Sequence, residues 1–421
     1  MRRRLKTLDK HLNDHPRLTF WLTLAACAIL VVSRRPAALF HAQFWAEGGK
    51  VWYAQAYNTG PLVTLFHTYA GTFSLLTRIA GSLSLLVPLM FVPLFLNIFA
   101  LLCQLLPLVM INSSRLKHLM PYRFLAIAVS LLYVGIPNSD EVFIDLANIQ
   151  WHLAIVAFLV LIAGNGQSKK WQVFDIGVLL ATGLTGPLGL VLLPVAAIIW
   201  WSKRTADNMY KLLALIITAI PQLFSLFVIN AGSRVNAQPY ASGLKFLKML
   251  TGQIITGGVL GEKHVGMFYN HPLTMIIILI ILIYVIAYVA IKGPAWLKLA
   301  NLYAGLIIAL MLVSLKPYKG FDVWNALTYP GGGQRYWYIP IFVWLVTLFW
   351  LALRGNKALK LLGVIGMLLF LSVGMPQNWK LDSYSDFHFS AYVKEFNSLK
   401  PGQSLKIPIN PEGWHMLLHK K

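Results

Sequence analysis

Proton-transfer chemistry in this chain has few carriers, because 421 residues include only 14 Asp and Glu. Glu47 is the sole carboxylate between Asp14 and Asp140, and it stands in Phe44-Trp45-Ala46-Glu47-Gly48-Gly49-Lys50-Val51-Trp52-Tyr53. A carboxylate at a low-dielectric boundary suits acceptance of a proton from a substrate hydroxyl. Aromatic neighbours such as Trp45 suit stacking on a sugar face. The competing expectation is a solvated glutamate within an interfacial aromatic belt.

A second group reads Asn138-Ser139-Asp140-Glu141-Val142-Phe143-Ile144-Asp145, then Asn148-Ile149-Gln150-Trp151-His152. On a helix, Glu141 and Asp145 would share a face at i and i+4. There they could hold a divalent cation, orient an acceptor sugar or pair with a basic loop. Asp140 also suits a helix start. Asn148, Gln150, Trp151 and His152 supply hydrogen-bonding and stacking groups for an acceptor at the mouth of the next helix. No spacing here is diagnostic of a metal, so no cofactor and no metal ligand is predicted; a divalent cation has nothing specific in its favour.

The third group is Tyr329-Pro330-Gly331-Gly332-Gly333-Gln334-Arg335-Tyr336-Trp337-Tyr338-Ile339-Pro340. Glycines let the backbone approach a ligand closely, and the forked donors of Arg335, beside Tyr336, match a lipid-linked phosphate or pyrophosphate. Anchoring of a helix end to ordinary lipid phosphates is the plainer alternative. Arg234, Lys263 and His264 are candidate partners of Arg335 in holding a donor phosphate, with Lys245, Lys248, Lys316, Lys319 and His271 as further cations.

What positions these residues is a membrane scaffold. The chain is 57% hydrophobic and 12% charged, with a mean hydropathy of +0.65. Those values exclude a soluble enzyme with one anchor and predict an all-α polytopic membrane protein. Apolar runs near 18–33, 84–110, 118–136, 151–168, 172–184, 185–201, 212–231, 273–291, 299–316, 338–353 and 361–375 make about eleven spans. Arg2, Arg3, Arg4 and Lys6 hold the N-terminus in the cytoplasm by the positive-inside rule. A cleaved signal peptide is the alternative, but the first apolar stretch runs on past Ala25, Ala26 and Ala28.

With an odd number of spans, residues 34–83, 137–150, 232–272 and 317–337 fall outside, together with a short tail at 376–421. Residues 1–375 then form the transmembrane domain, with 34–83 its first outer loop. Each inner loop is basic, whereas 137–150 contains no Lys or Arg. The net charge of +22 is therefore read as topology and contact with anionic lipid rather than nucleic acid. Cys27 and Cys103 lie in apolar runs, which excludes a disulfide framework and a Cys zinc site. Thr185-Gly186-Pro187-Leu188-Gly189 breaks two half-length runs and predicts either a simple hairpin or kink, or a break lining a cleft.

Trp45-Ala46-Glu47-Gly48 with downstream Tyr69-Ala70-Gly71 and Arg78-Ile79-Ala80, the acid-bearing loop leading into Asn148-Ile149-Gln150-Trp151-His152, and the late Gln334-Arg335-Tyr336 form a pattern. It resembles the bacterial integral-membrane glycosyltransferases of the GT-C superfamily, which take a sugar from a polyprenyl-phosphate carrier at the outer face of the membrane. The resemblance implies a GT-C-like fold in the bacterial inner membrane, a polyprenyl-phosphate sugar as donor and Glu47 as general base of an inverting transfer. Many relatives carry two neighbouring acids in the first loop, whereas Gly48 follows Glu47 here. A small tail, without a large soluble domain, points to a cell-envelope glycan or glycolipid acceptor rather than a protein. A lipid-linked glycan flippase, or an envelope polysaccharide polymerase or ligase, is the competing class.

Overall fold

The computed structural model of the protein describes residues 9, 12–164, 166, 168–229, 241–314 and 322–421. A helix occupies each of the eleven apolar runs. They are α1 (Pro16–Arg34), α2 (Val92–Ile111), α3 (Arg123–Val134), α4 (Ile149–Ile162), α5 (Lys169–Leu184), α6 (Leu188–Lys203), α7 (Ala206–Phe224), α8 (Pro272–Lys292), α9 (Ala295–Ser314), α10 (Gln334–Arg354) and α11 (Lys357–Leu369). Among the described residues seven helices, α1, α2 and α7 to α11 with their flanking turns, are long and apolar enough to cross a bilayer. The chain is a mostly helical, multi-pass membrane protein. Helices α3 to α6, of 12, 14, 16 and 16 residues, fall short of the length that a full crossing requires.

Burial sorts the helices by depth. Every residue of α4 except Gln150 is buried, as expected of a helix that is apolar on all sides. Helix α10 is likewise mostly buried, while α1 and α8 expose most of their apolar surface, the arrangement of a helix facing lipid. Short polar caps close several turns: Ser168, Thr205 and Asn356 accept backbone N–H groups at the starts of α5, α7 and α11. Between α5 and α6 the backbone turns through Gly186 at φ +91°. Gly189 sits against the backbone of Gly183, where an added Cβ would lie 2.5 Å from the Gly183 Cα. Only small residues allow that approach.

The long connections are structured. Residues 34–83 hold a π-helical turn (Gly48–Tyr53) running into Ala54–Thr59, and a helix at Leu75–Leu83. The tail contains α12 (Phe389–Ser398) and a hairpin of β1 (Ser404–Ile409) and β2 (Trp414–His419), antiparallel with Ile409 opposite Trp414. This hairpin is the departure from an all-α chain, and it lies where Ile407-Pro408-Ile409 leads through a turn to Trp414. The tail shares a core with the first connection: Phe44, Trp52 and Tyr53 pack in one cluster with Phe389, Phe396, Ile407, Ile409 and Met416. Backbone bonds reinforce the join, Asn410 N–H donating to Phe44 O at 3.2 Å and Ala46 N–H to Asn410 O at 2.5 Å.

Candidate active site

Glu47 begins the π-helical turn, directly after Ala46, whose φ of +39° is unusual for a residue with a side chain. Gly49 packs closely here: a Cβ would lie 3.1 Å from side-chain atoms of both Phe44 and Ile409. Gly81 brings helix Leu75–Leu83 against the Trp52 carbonyl, 2.4 Å from where its Cβ would be. Glu47 is half-buried, and the Tyr69 hydroxyl donates to its Oε1 at 3.2 Å.

Tyr69 is held by a tight turn. Its N–H and C=O pair with those of Thr72 at 2.9 and 3.0 Å, and Ala70 and Gly71 both have positive φ, the geometry of a type I′ turn. The loop is stitched to the helix break: Gly186 N–H donates to Phe73 O at 2.8 Å, and Gln222 bridges Phe73 to Gly183 O. The break therefore braces the loop that carries Tyr69. Burial pushes the Tyr69 phenol well above its ordinary range, the neighbouring Glu47 charge and hydrogen bond add to this, and the Arg335 charge opposes it. Glu47, Tyr69 and Arg335 thus lie within electrostatic reach of one another.

The second acidic loop does not form the helix that would align Glu141 with Asp145. A 3-10 turn, Asp140–Val142, ends at Phe143 and the chain passes through Ile144 at φ +49°. Glu141 instead accepts from Arg335, by Nη1 at 2.5 Å and by the backbone N–H at 3.2 Å. Asp140 pairs with Arg35. Asp145 is buried and accepts from Ala147 N–H at 3.0 Å and Asn148 Nδ2 at 2.7 Å. Burial pushes the Asp145 carboxyl up to about 7; the charges of Glu47 and Glu141 add to the rise, and the two hydrogen bonds oppose it. Four of the six described non-glycine residues with positive φ, Ala46, Ala70, Asn138 and Ile144, lie in these loops. Strained backbone gathered beside acids is a recurrent property of functional sites.

Close to the acids, Trp45 stacks on Tyr384 of the tail at 4.6 Å, and Tyr336 meets Trp151 edge-on at 5.9 Å. Asn148 donates to Glu141 O at 2.9 Å as well as to Asp145, so it shapes the loop. Gln150 abuts Gly186 at the helix break. His152 is fully buried between Tyr133 Oη, 2.7 Å away, and Val142 O, 3.0 Å away, which makes it a packing and orienting residue rather than an exposed sugar contact. Lys263 and His264 lie on the turn Glu262–His264, joined to α10 by Gln334, which donates to Glu262 at 3.0 Å and accepts from Glu141 N–H at 2.8 Å. Burial raises the Glu262 carboxyl above its usual value; Gln334 opposes this and the Asp382 charge adds to it. Arg234, Lys316 and Lys319 lie outside the described residues. Among the described residues no three His, Cys, Asp or Glu side chains gather as a metal-binding group would require.

Two arginines escaped the sequence reading. Arg34 is fully buried and donates to the carbonyls of Val134, Ile136, Asn378 and Trp379. Arg35 adds Phe143 O and Tyr384 Oη, both at 2.8 Å, to its pair with Asp140. Together they clamp α3, the acidic loop and the tail to the end of α1. Their signal was available: paired arginines at the end of the first span that the positive-inside rule would leave free of them. Arg78, also buried, donates to Gln55 at 2.9 Å and lies over Trp52, which in turn meets Tyr69 edge-on.

No protein-family model matches the chain, and no curated protein or solved structure matches it significantly.

Proposed function

We propose that this protein is a membrane glycosyltransferase that moves a sugar from a polyprenyl-phosphate donor to a hydroxyl of a cell-envelope glycan or glycolipid, with inversion. The observation that carries the reading is the half-buried Glu47, oriented by Tyr69, within electrostatic reach of Arg335. Glu47 takes the proton of the acceptor hydroxyl as its oxygen attacks the anomeric carbon and the carbon–oxygen bond to the phosphate breaks. The phosphate leaves as an anion and needs no general acid; charge stabilisation is the main demand on the protein. Arg335, with 40% of its side chain exposed, meets the phosphate with the donors that Glu141 does not use. In this reading the Glu47 face is the outer face of a bacterial inner membrane, the N-terminus is cytoplasmic and all eleven helices belong to a GT-C-like bundle.

A transporter of lipid-linked glycans would line its path with ionisable side chains inside the spans. Asp175, an acid buried within α5, is held by Arg115 Nη2 at 2.7 Å and by Lys211 at 3.3 Å. This pairing favours a structural duty for it. The test is transfer from radiolabelled polyprenyl-phosphate sugars by purified protein. Glu47→Gln should lose at least about a thousandfold in turnover, the scale of a positioned base plus its orientation, while retaining donor binding. Normal turnover by that variant would refute the assignment.

A further inference from the structure

A cavity of ≈ 480 Å³ lies toward the end of the bundle opposite Glu47, bounded by α3, α4, α9 and α10. Along α10 its wall runs from Ile339 to Arg354, sixteen residues spanning about 22 Å of helix. Ile155, Phe158, Phe342 and Val346 make this wall apolar. One polar group interrupts it. Tyr303 is 1% exposed and its hydroxyl has no hydrogen-bond partner among the described residues, while its ring stacks on Phe158 at 5.7 Å. A buried hydroxyl without a partner costs free energy that a ligand acceptor would recover.

The mouth has the opposite character. His118, Tyr122, Trp296 and Arg354 line it, and Arg354 is exposed and makes no ion pair among the described residues. Lys117, Lys298 and Lys357 are exposed on the adjoining turns. Tyr303 lies seven residues beyond Trp296 on α9, about 10 Å deeper. A ligand complementary to this order has an anionic head, a carbonyl below it and an apolar chain below that.

We infer that this cavity is a binding site for an anionic glycerophospholipid, with Arg354 on its phosphate, Tyr303 on an ester carbonyl and an acyl chain along α4 and α10. Cationic pockets between spanning helices hold anionic head groups in this way. The occupant is distinct from any isoprenoid donor, which has no ester carbonyl for Tyr303, and the inference stands independently of the proposed transfer reaction.

The test uses the purified, delipidated full chain, titrated with phosphatidylglycerol, phosphatidylcholine of the same chains, and a polyprenyl phosphate, with bound lipid read by native mass spectrometry. Phosphatidylglycerol should fill one saturable site about fivefold or more tighter than phosphatidylcholine, the worth of one cation near an anionic head. Arg354→Gln should erase that preference. Tyr303→Phe should weaken both phospholipids about fivefold and leave the preference intact. Ala300→Trp should fill the cavity and abolish binding; if that variant fails to fold, Arg354→Gln and Tyr303→Phe decide. Equal binding of the two phospholipids, an Arg354→Gln protein that keeps the preference, or a Tyr303→Phe protein with unchanged affinity would overturn the inference. So would displacement of phosphatidylglycerol by polyprenyl phosphate in both the parent and the Tyr303→Phe protein.

Discussion

Burial and the charges of neighbouring carboxylates push the Asp145 carboxyl up to about 7, and that shift has a consequence for stability. In an unfolded chain it would ionise near pH 4, whereas in the fold it does so at about 7. Between these values the native state binds a proton that the unfolded state has released, so this group's contribution falls as pH rises through that window and stays lost above it. Thermal melts of detergent-solubilised protein from pH 5 to 8 should therefore decline more steeply for the parent than for Asp145→Asn; parallel curves would contradict the assignment. Tyr69→Phe tests its neighbour. Losing a hydrogen bond to a charged group costs about 1.5–3 kcal/mol, so kcat for transfer should drop about ten- to hundredfold with little change in donor KM. Sequence showed Glu47 and Arg335 as candidates from their residue types and surroundings. It did not show Tyr69 on Glu47 or Glu141 on Arg335, because 22 and 194 residues separate those partners.

The break between α5 and α6 positions a loop that contains no acid of its own. Gly186 and Phe73 share a backbone hydrogen bond, and the close approach of Gly189 to Gly183 sets how the two helices fold back. Gly189→Ala would press a methyl group into the Gly183 backbone, which cannot move aside as a side-chain tip can. Overpacking of this kind costs about 1–3 kcal/mol. The variant should melt several degrees lower and lose activity through the displaced Tyr69 loop. The sequence pattern of Thr185-Gly186-Pro187 was enough to predict an interruption. It held no information on which side of the break would meet the first connection.

At the scale of the whole molecule, α1 is tied to the tail by Arg34 and Arg35, and the tail hairpin completes a core begun at Phe44. Removing residues 376–421 would leave two buried guanidinium groups short of their carbonyl partners and expose Phe44, Trp52 and Tyr53. Truncation at 375 should therefore yield protein that aggregates on size-exclusion chromatography rather than a stable bundle lacking a cap. A monodisperse truncated protein would show that the tail is dispensable to the fold. The two ends of the bundle also separate in character, with strained acidic loops at one and a mostly apolar cavity of ≈ 480 Å³ at the other.

Hydropathy, helix positions and the scarcity of acids were legible along the chain because each depends on local composition: an apolar stretch must leave water, and a bilayer favours backbone satisfied within its own helix. The extended segment at Ile407-Pro408-Ile409 was local in the same sense. Tertiary structure alone decided that Glu141 belongs to Arg335 and Asp140 to Arg35, that His152 is interior, and that the tail forms part of the Glu47 scaffold. Those outcomes rest on contacts between residues tens to hundreds of positions apart, where charge pairing, desolvation and packing act through space and leave no periodicity in the sequence.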